Sequence, residues 1–359
     1  MPTRADVNAR AAILRAGFER HGAQVVEPPI LQPADTLLDL YGEDIRARAY
    51  VTSDALRGEQ MLRPDFTVPV VQMHMAHGAD PARYTYAGEV FRRQERDPNR
   101  ANEYVQVGFE VFERTDPAAS DAEVFALIAQ AMGDLPVKAV TGDIGMRMAV
   151  VEELNTTAIR KNALMRHIWR PRRFRALLEQ YAGRKPVSPA RQALLEGEVH
   201  CAAPLVGARR QHEIDARIAT LRADAAEPPI AAKDLDLIDA LLDIAAPLPD
   251  ALARLHDLSV DLPAILPAVA RVAARKEALK ARGVDVSTLM FDANYGRTSM
   301  EYYDGFVFGF RAVARADLPP LATGGRYDAL TRRLGGGREI PAVGGVMRPG
   351  IMLLLEEDQ

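Results

Sequence analysis

Apolar residues recur at helical spacing over residues 4–22 (Ala11, Ile13, Leu14, Phe18), and Gly22 ends the pattern, which predicts an amphipathic helix. The stretch QVVEPPIL (24–31) reads as a short strand running into Pro28 and Pro29. Residues 49–52 and 60–78 predict a strand, a turn at Arg63-Pro64-Asp65 and then a helix. In that helix Thr67 lies at the start as the expected N-cap, and Pro69 is tolerated in the first turn. Residues 83–91 (RYTYAGEVF) and 103–113 (EYVQVGFEVFE) alternate with period two, which predicts an antiparallel hairpin. Residues 121–133 follow a Ser-Asp start and close on Gly133 as a helix, and 136–145 read as a strand and turn.

The middle of the chain changes character. Residues 147–282 are rich in Ala, Leu, Arg and Glu at helical spacing, interrupted at Gly183–Pro189, Ala202–Pro204, Pro228–Pro229 and Pro247–Pro249. Strand patterns return after Gly283, in LMFDANY (289–295), SMEYYDGFVFGFRAV (299–313), LATGGRYDAL (321–330) and AVGGVM (342–347), and the chain closes with an apolar turn, IMLLLEEDQ. The organisation is therefore an α+β core in two parts, 1–145 and 284–359, split by a mainly helical insertion over 146–283.

Alternation in the strand 103–113 puts Val105, Val107, Phe109 and Val111 on one face, and Tyr104, Gln106, Gly108, Glu110 and Phe112 on the other. Gln106 and Glu110 thus share a face across a glycine. That face is either a small pocket for a polar, cationic ligand or a solvated outer surface. In 300–310, Glu301, Tyr303, Gly305, Val307 and Gly309 repeat the arrangement, again as a cavity or as tight helix packing. Asp65 reads as a contact for a ligand ammonium. Arg326 and Asp328, in the glycine turn TGGRYDAL, are weaker candidates, and Gly335-Gly336-Gly337 reads as a flexible loop.

Composition narrows these readings. Four arginines (Arg92, Arg93, Arg96, Arg100) fall between the two hairpin strands, yet the net charge of −4 argues against broad nucleic-acid binding. Only six of the 45 basic residues are lysine, so arginine is the default cation of this chain and a single one carries little functional weight. One cysteine, Cys201, excludes an intrachain disulfide and fits a reducing compartment. No run approaches the roughly 18 apolar residues of a membrane span, and the N-terminus lacks the apolar core and cleavage site of a signal peptide. The expectation is a cytoplasmic protein with no membrane association. GxxxxGK[ST] and GxGxxG are absent. His200, Cys201 and His212 make a poor metal pattern; His74 and His77 share a helical face with no visible third ligand, so no metal is expected. Trp169 reads as a packing anchor.

Over about residues 5–145 and 285–350, these pieces resemble, in order, the catalytic core of histidyl-tRNA synthetase, a class II aminoacyl-tRNA synthetase. Pro29 resembles the proline of the dimer-forming first motif. LRPDFT (62–67) resembles LRPEGT, with Asp65 for its glutamate, and YAGEVFRRQER resembles the second motif, with Arg92 as the arginine that grips the α-phosphate and the substrate carboxylate. Gln106 and Glu110 fall on QxGxE, which holds the amino group and imidazole of histidine. MEYYDG gives Tyr302 and Tyr303 for the histidine-specific LDYYTG, and GGRYDAL matches GGRYDGL. The resemblance implies a class II synthetase-like antiparallel sheet flanked by helices. It also implies a histidine site of Asp65, Thr67, Arg92, Gln106, Glu110, Tyr302 and Tyr303.

The departures bear on function. The synthetase's RGLDYY arginine, which drives activation, aligns with Thr298 and Ser299, with Arg297 out of register. Ile351 stands where the third motif carries its arginine, and Pro349-Gly350 is expected to disturb the helix there. Adenylate formation needs placed cations on the reacting phosphate, so losing two removes most of the rate. With no anticodon-binding domain expected after this motif, the chain resembles the regulatory subunits of ATP phosphoribosyltransferase. The resemblance implies a non-catalytic protein without cofactor that forms a homodimer within a hetero-oligomer. Its partner is the short catalytic subunit; it enables that subunit in the first step of histidine biosynthesis and contributes to feedback inhibition by histidine, without tRNA. The alternative is a truncated histidine-activating enzyme; a free-standing histidine sensor is a third reading.

Overall fold

The computed structural model describes residues 2–41, 48–94, 100–197, 206–207, 209–296 and 302–357. Arg96, Cys201, His200 and the Arg297–Glu301 stretch, with its aligned Thr298 and Ser299, lie outside the described residues.

The strands are β1 (Gln24–Val25), β2 (Leu31–Pro33), β3 (Val51–Asp54), β4 (Gly58–Leu62), β5 (Ala82–Phe91), β6 (Glu103–Phe112), β7 (Val137–Asp143), β8 (Ala245–Pro247), β9 (Met290–Asp292), β10 (Phe306–Ala312), β11 (Ala322–Arg326) and β12 (Ala342–Met347). Nine of them form one sheet in the order β1-β5-β6-β12-β11-β10-β7-β9-β8, and β2-β4-β3 form a small second sheet. β1 with β5 and β7 with β9 run parallel, and the other pairs of the large sheet are antiparallel. The expected hairpin is β5 and β6. The proposed insertion contains mostly helices, from Ile144–Glu153 to Leu266–Ala281, but also β8, which closes one sheet edge.

One sheet face carries the core. Phe306, Phe308 and Phe310 alternate onto it and pack against Phe125 of the Pro117–Ala131 helix at centroid distances of 6.4, 5.4 and 5.2 Å. Phe109 stacks at 5.1 Å on Phe18 of the first helix, Arg4–Arg20. Each such ring, fully buried, stabilises the fold by roughly 1.5–3 kcal/mol. The first helix starts where Thr3 and Asp6 satisfy each other's backbone N–H groups, a capping box.

The opposite face is built from rows of mostly small residues, some of them covered by larger side chains. Register places Gly108, Val346, Thr323, Gly309 and Val140 side by side across five neighbouring strands. The next row is Glu110, Gly344, Gly325, Val307 and Gly142. A cleft of ≈ 1650 Å³ opens on this side of the sheet, lined there by Gln106, Val346, Thr323 and Val140.

The C-terminal segment is a correction to the sequence reading. Pro349–Glu357 is a helix where an apolar turn was expected, and Pro349 sits in its first turn instead of disturbing it. Proline lacks only an N–H that a first turn leaves unpaired, so it starts a helix as readily as it breaks one.

Candidate functional site

Of the seven residues expected at the site, five line the cleft: Asp65, Arg92, Gln106, Tyr302 and Tyr303. They come from the β4-to-helix turn, the end of β5, β6 and the segment before β10. Tyr302 donates to Asp65 Oδ2 at 3.3 Å, and the Tyr302 and Tyr303 rings meet edge to face at 4.8 Å. Arg92 is braced by its Nε, which donates to the Pro64 carbonyl at 2.6 Å. Gln106 is fully buried, and neither its amide oxygen nor its amide nitrogen has a partner among the described residues. A buried amide in that condition costs roughly 1–3 kcal/mol, a debt that a ligand in the cleft would relieve.

Glu110 and Thr67 do not line the cleft; they are bonded to each other behind its wall. Glu110 Oε1 accepts from Thr67 Oγ1 at 3.1 Å and from the Tyr86 hydroxyl at 2.7 Å, while Oε2 accepts from the Tyr327 hydroxyl at 2.6 Å. Burial pushes its carboxyl up to about 7, with the Asp65 charge adding to the rise and the three hydroxyls opposing it. Burial also raises the Tyr303 phenol, with Glu110 adding to it. The solvated-surface alternative for this strand face is excluded, since Gln106 and Glu110 are both buried.

Three further expectations are corrected. Thr67 is not the N-cap: the Thr67–His77 helix begins after Phe66 with no side-chain cap, and the Thr67 hydroxyl is spent on Glu110. The space that Gly108 opens is filled by the Tyr86 ring, which a Cβ at 108 would meet at 2.1 Å. Gly309 is likewise covered, by Tyr295, whose hydroxyl would lie 1.9 Å from an added Cβ.

The secondary candidates resolve into structural roles. Arg326 donates to Asp121, Asp328 and the Pro117 carbonyl, a buried network rather than a ligand contact. His74 is buried and stacks on Phe112 at 3.8 Å, its Nδ1 lies 3.1 Å from the Tyr84 hydroxyl, and burial lowers it to about 4. No group of three metal-capable side chains occurs among the described residues. Trp169 packs as expected and also donates from its indole N–H to the Tyr303 carbonyl at 3.0 Å, so the middle segment braces the site. Arg100 reaches the Asp317 carbonyl. Sequence reasoning missed Tyr86, Tyr327, Gly344 and Arg348. Arg348 lines the cleft and donates to the Pro320 carbonyl at 2.6 Å and toward Thr323 at 3.4 Å.

A family model described as histidyl-tRNA synthetase matches residues 2–349. The chain belongs to that family. Within it, the chain is similar to the ATP phosphoribosyltransferase regulatory subunits of Brucella anthropi and Brucella suis biovar 1. Each is 32% identical over 355 residues, covering 92% of this chain and 93% and 92% of theirs. A solved structure from Bacillus halodurans, described as an ATP phosphoribosyltransferase regulatory subunit/histidyl-tRNA synthetase, shares the fold with TM-score 0.68. It is 20% identical, covering 98% of this chain and 79% of that one. The histidyl-tRNA synthetase of Nostoc sp. PCC 7120 does so with TM-score 0.64 at 18% identity, over 98% and 72%. The family's class II synthetase-like fold is the α+β sheet described above. Among the described residues, no helix is long and apolar enough to cross a membrane.

Proposed function

We propose that this chain is a non-catalytic regulatory subunit of an ATP phosphoribosyltransferase, acting in the cytoplasm on the short catalytic subunit and binding histidine in the cleft. The observation that carries the reading is the similarity to regulatory subunits over 92% of the chain, joined to a cleft in which Gln106 is buried and unsatisfied among the described residues. Asp65, Arg92, Gln106, Tyr302 and Tyr303 would contact the ligand, with Thr67 and Glu110 supporting them from behind. Ile351, where the synthetase motif carries arginine, supports the loss of amino-acid activation, because a transferring phosphate needs that cation. The chain would act as a homodimer within a hetero-oligomer, without tRNA.

Co-expression with a short-form transferase is the test: the two chains are expected to co-purify and the transferase to be active only in the complex. No association and no stimulation would sink the reading. Histidine-dependent exchange of pyrophosphate into ATP is expected to stay at background, and a rate above it would restore the activating-enzyme alternative.

A second expectation arises at Gln106. Leucine there replaces an amide that has no partner among the described residues, so stability is expected to hold or rise by about 1 kcal/mol. Histidine affinity is expected to fall about tenfold or more, since the ligand loses its amide contacts. Thermal melting and calorimetry separate the two, and a destabilised chain with unchanged affinity would remove Gln106 from the site.

A further inference from the structure

Trp169 is the only tryptophan in the chain, and it stands behind the cleft rather than in its lining. It sits in the turn between the Ala158–Arg166 and Pro171–Tyr181 helices of the middle segment. An indole N–H only donates, and this one reaches the Tyr303 carbonyl at 3.0 Å. Tyr303 is itself buried and forms part of the cleft wall. The residue before Trp169 is held as well. Arg147, buried on the Ile144–Glu153 helix, donates from Nη1 to the Ile168 carbonyl at 3.2 Å and from Nη2 to the Tyr295 carbonyl at 3.1 Å. The same helix begins with the Ile144 N–H donating to the Gly305 carbonyl at 2.8 Å. Helices of the middle segment thus grip the backbone at Tyr295, before the tyrosine pair, and at Tyr303 and Gly305, within and after it.

This joint is not closely packed. A cavity of ≈ 40 Å³ lies at it, lined by Arg147, Pro171, Phe174, Arg175, Leu242 and Asn294. Leu242 and Asn294 also line the cleft, so single side chains separate the two spaces. Asn294 Oδ1 is buried with no partner among the described residues. Interiors are otherwise packed to crystal density with their polar atoms paired, so a void beside an unspent acceptor marks a place where side chains resettle at little cost.

We propose that Trp169 is a positioning residue for the cleft: its indole sets where Tyr303 stands, and a ligand that engages Tyr303 shifts the Trp169 turn in return. Coupling of this kind is reciprocal, because each contact favours the other by the same factor. The Pro171–Tyr181 helix starts two residues after Trp169 and carries Arg172 and Arg173 exposed, so the shift reaches the protein surface. The regulatory reading thereby gains a path from bound histidine to a helix outside the cleft, and the inference rests on the cleft being the histidine site.

A sole tryptophan makes the test direct, since indole emission of the wild-type chain reports Trp169 alone. Histidine titration is expected to shift that emission, saturating where calorimetry of the same sample saturates. Trp169→Phe keeps a ring in place and removes the N–H; its histidine affinity is expected to fall about fivefold, the equivalent of one neutral hydrogen bond. Tyr303→Ala has no phenol left to place, so adding Trp169→Phe to it should lower affinity little further. Emission that stays unchanged at saturating histidine overturns the proposal alone, and it does so on the wild-type chain even if a variant folds poorly. An equal fivefold loss from Trp169→Phe in both backgrounds overturns it as well, since a residue that merely stabilises the fold acts without regard to Tyr303. No binding heat at any histidine concentration overturns the histidine reading itself, and this inference with it.

Discussion

Gly344→Ala is expected to destabilise the chain by about 3–5 kcal/mol, read as a lower urea midpoint at unchanged slope. A Cβ at 344 would stand 1.4 Å from Glu110 Oε2 and 2.4 Å from its carboxyl carbon. Gly344 pairs with Glu110 on one side and Gly325 on the other, so its backbone is held in the middle of the sheet. The carboxylate has to move instead, and it carries Thr67, Tyr86 and Tyr327 with it. All three donors are at most 3% exposed, so none finds water when the carboxylate leaves. Partial stranding of these hydroxyls, equivalent to about one lost bond at roughly 1–3 kcal/mol, adds to about 1–3 kcal/mol for overpacking. A double-mutant cycle identifies the cause: with Glu110→Ala the clash is absent, and Gly344→Ala is expected to cost far less in that background. Equal costs in both backgrounds would place the strain elsewhere in the sheet.

That example shows why part of the site was legible in the sequence and part was not. Alternation assigned Gln106 and Glu110 to one face because the period-two pattern is local. The partners of Glu110 come from residues 67, 86, 327 and 344, and only strand register brings these together. The β5–β6 register fixes Tyr86 opposite Gly108, and it depends on how the intervening loop turns the chain, which composition does not state. Thr67 carried a local signal for capping, but a buried carboxylate proved the stronger partner. Apolar runs misled at the C-terminus, where four to eight residues fit a turn, a strand or a short helix equally well. The family resemblance supplied the fold and the set of positions; it did not say which side chains face the cleft and which stand behind it.

Arg275→Met is expected to cost about 3–5 kcal/mol, although it lies outside the cleft and belongs to the middle segment. Its Nε donates to Asp121 Oδ2 at 2.8 Å and its Nη2 to Asp143 Oδ2 at 3.2 Å, with its guanidinium 4.3 Å from the centre of the Phe306 ring. Both carboxylates are buried, at 2% and 1% exposure. Asp121 keeps Arg326 when Arg275 is lost, whereas Asp143 loses its ion pair in a site that water does not reach. An uncompensated buried charge accounts for most of the penalty, while the pair itself contributes little beyond offsetting its own desolvation. Adding Asp143→Asn is therefore expected to recover a good part of the loss, and urea titrations of the two variants measure it. If the second substitution deepens the loss by its full single-variant cost, the guanidinium acts through packing on Phe306 and not through Asp143. The location explains the consequence: Arg275 sits on the Leu266–Ala281 helix, Asp121 on the Pro117–Ala131 helix and Asp143 at the end of β7. One side chain thereby fastens the helical middle segment to the sheet that floors the cleft, and Asp121 shares its other oxygen with Arg326, one residue before Tyr327. Loosening this junction is expected to reach Glu110 through Tyr327. Histidine affinity in Arg275→Met should then fall even at temperatures where the variant remains folded.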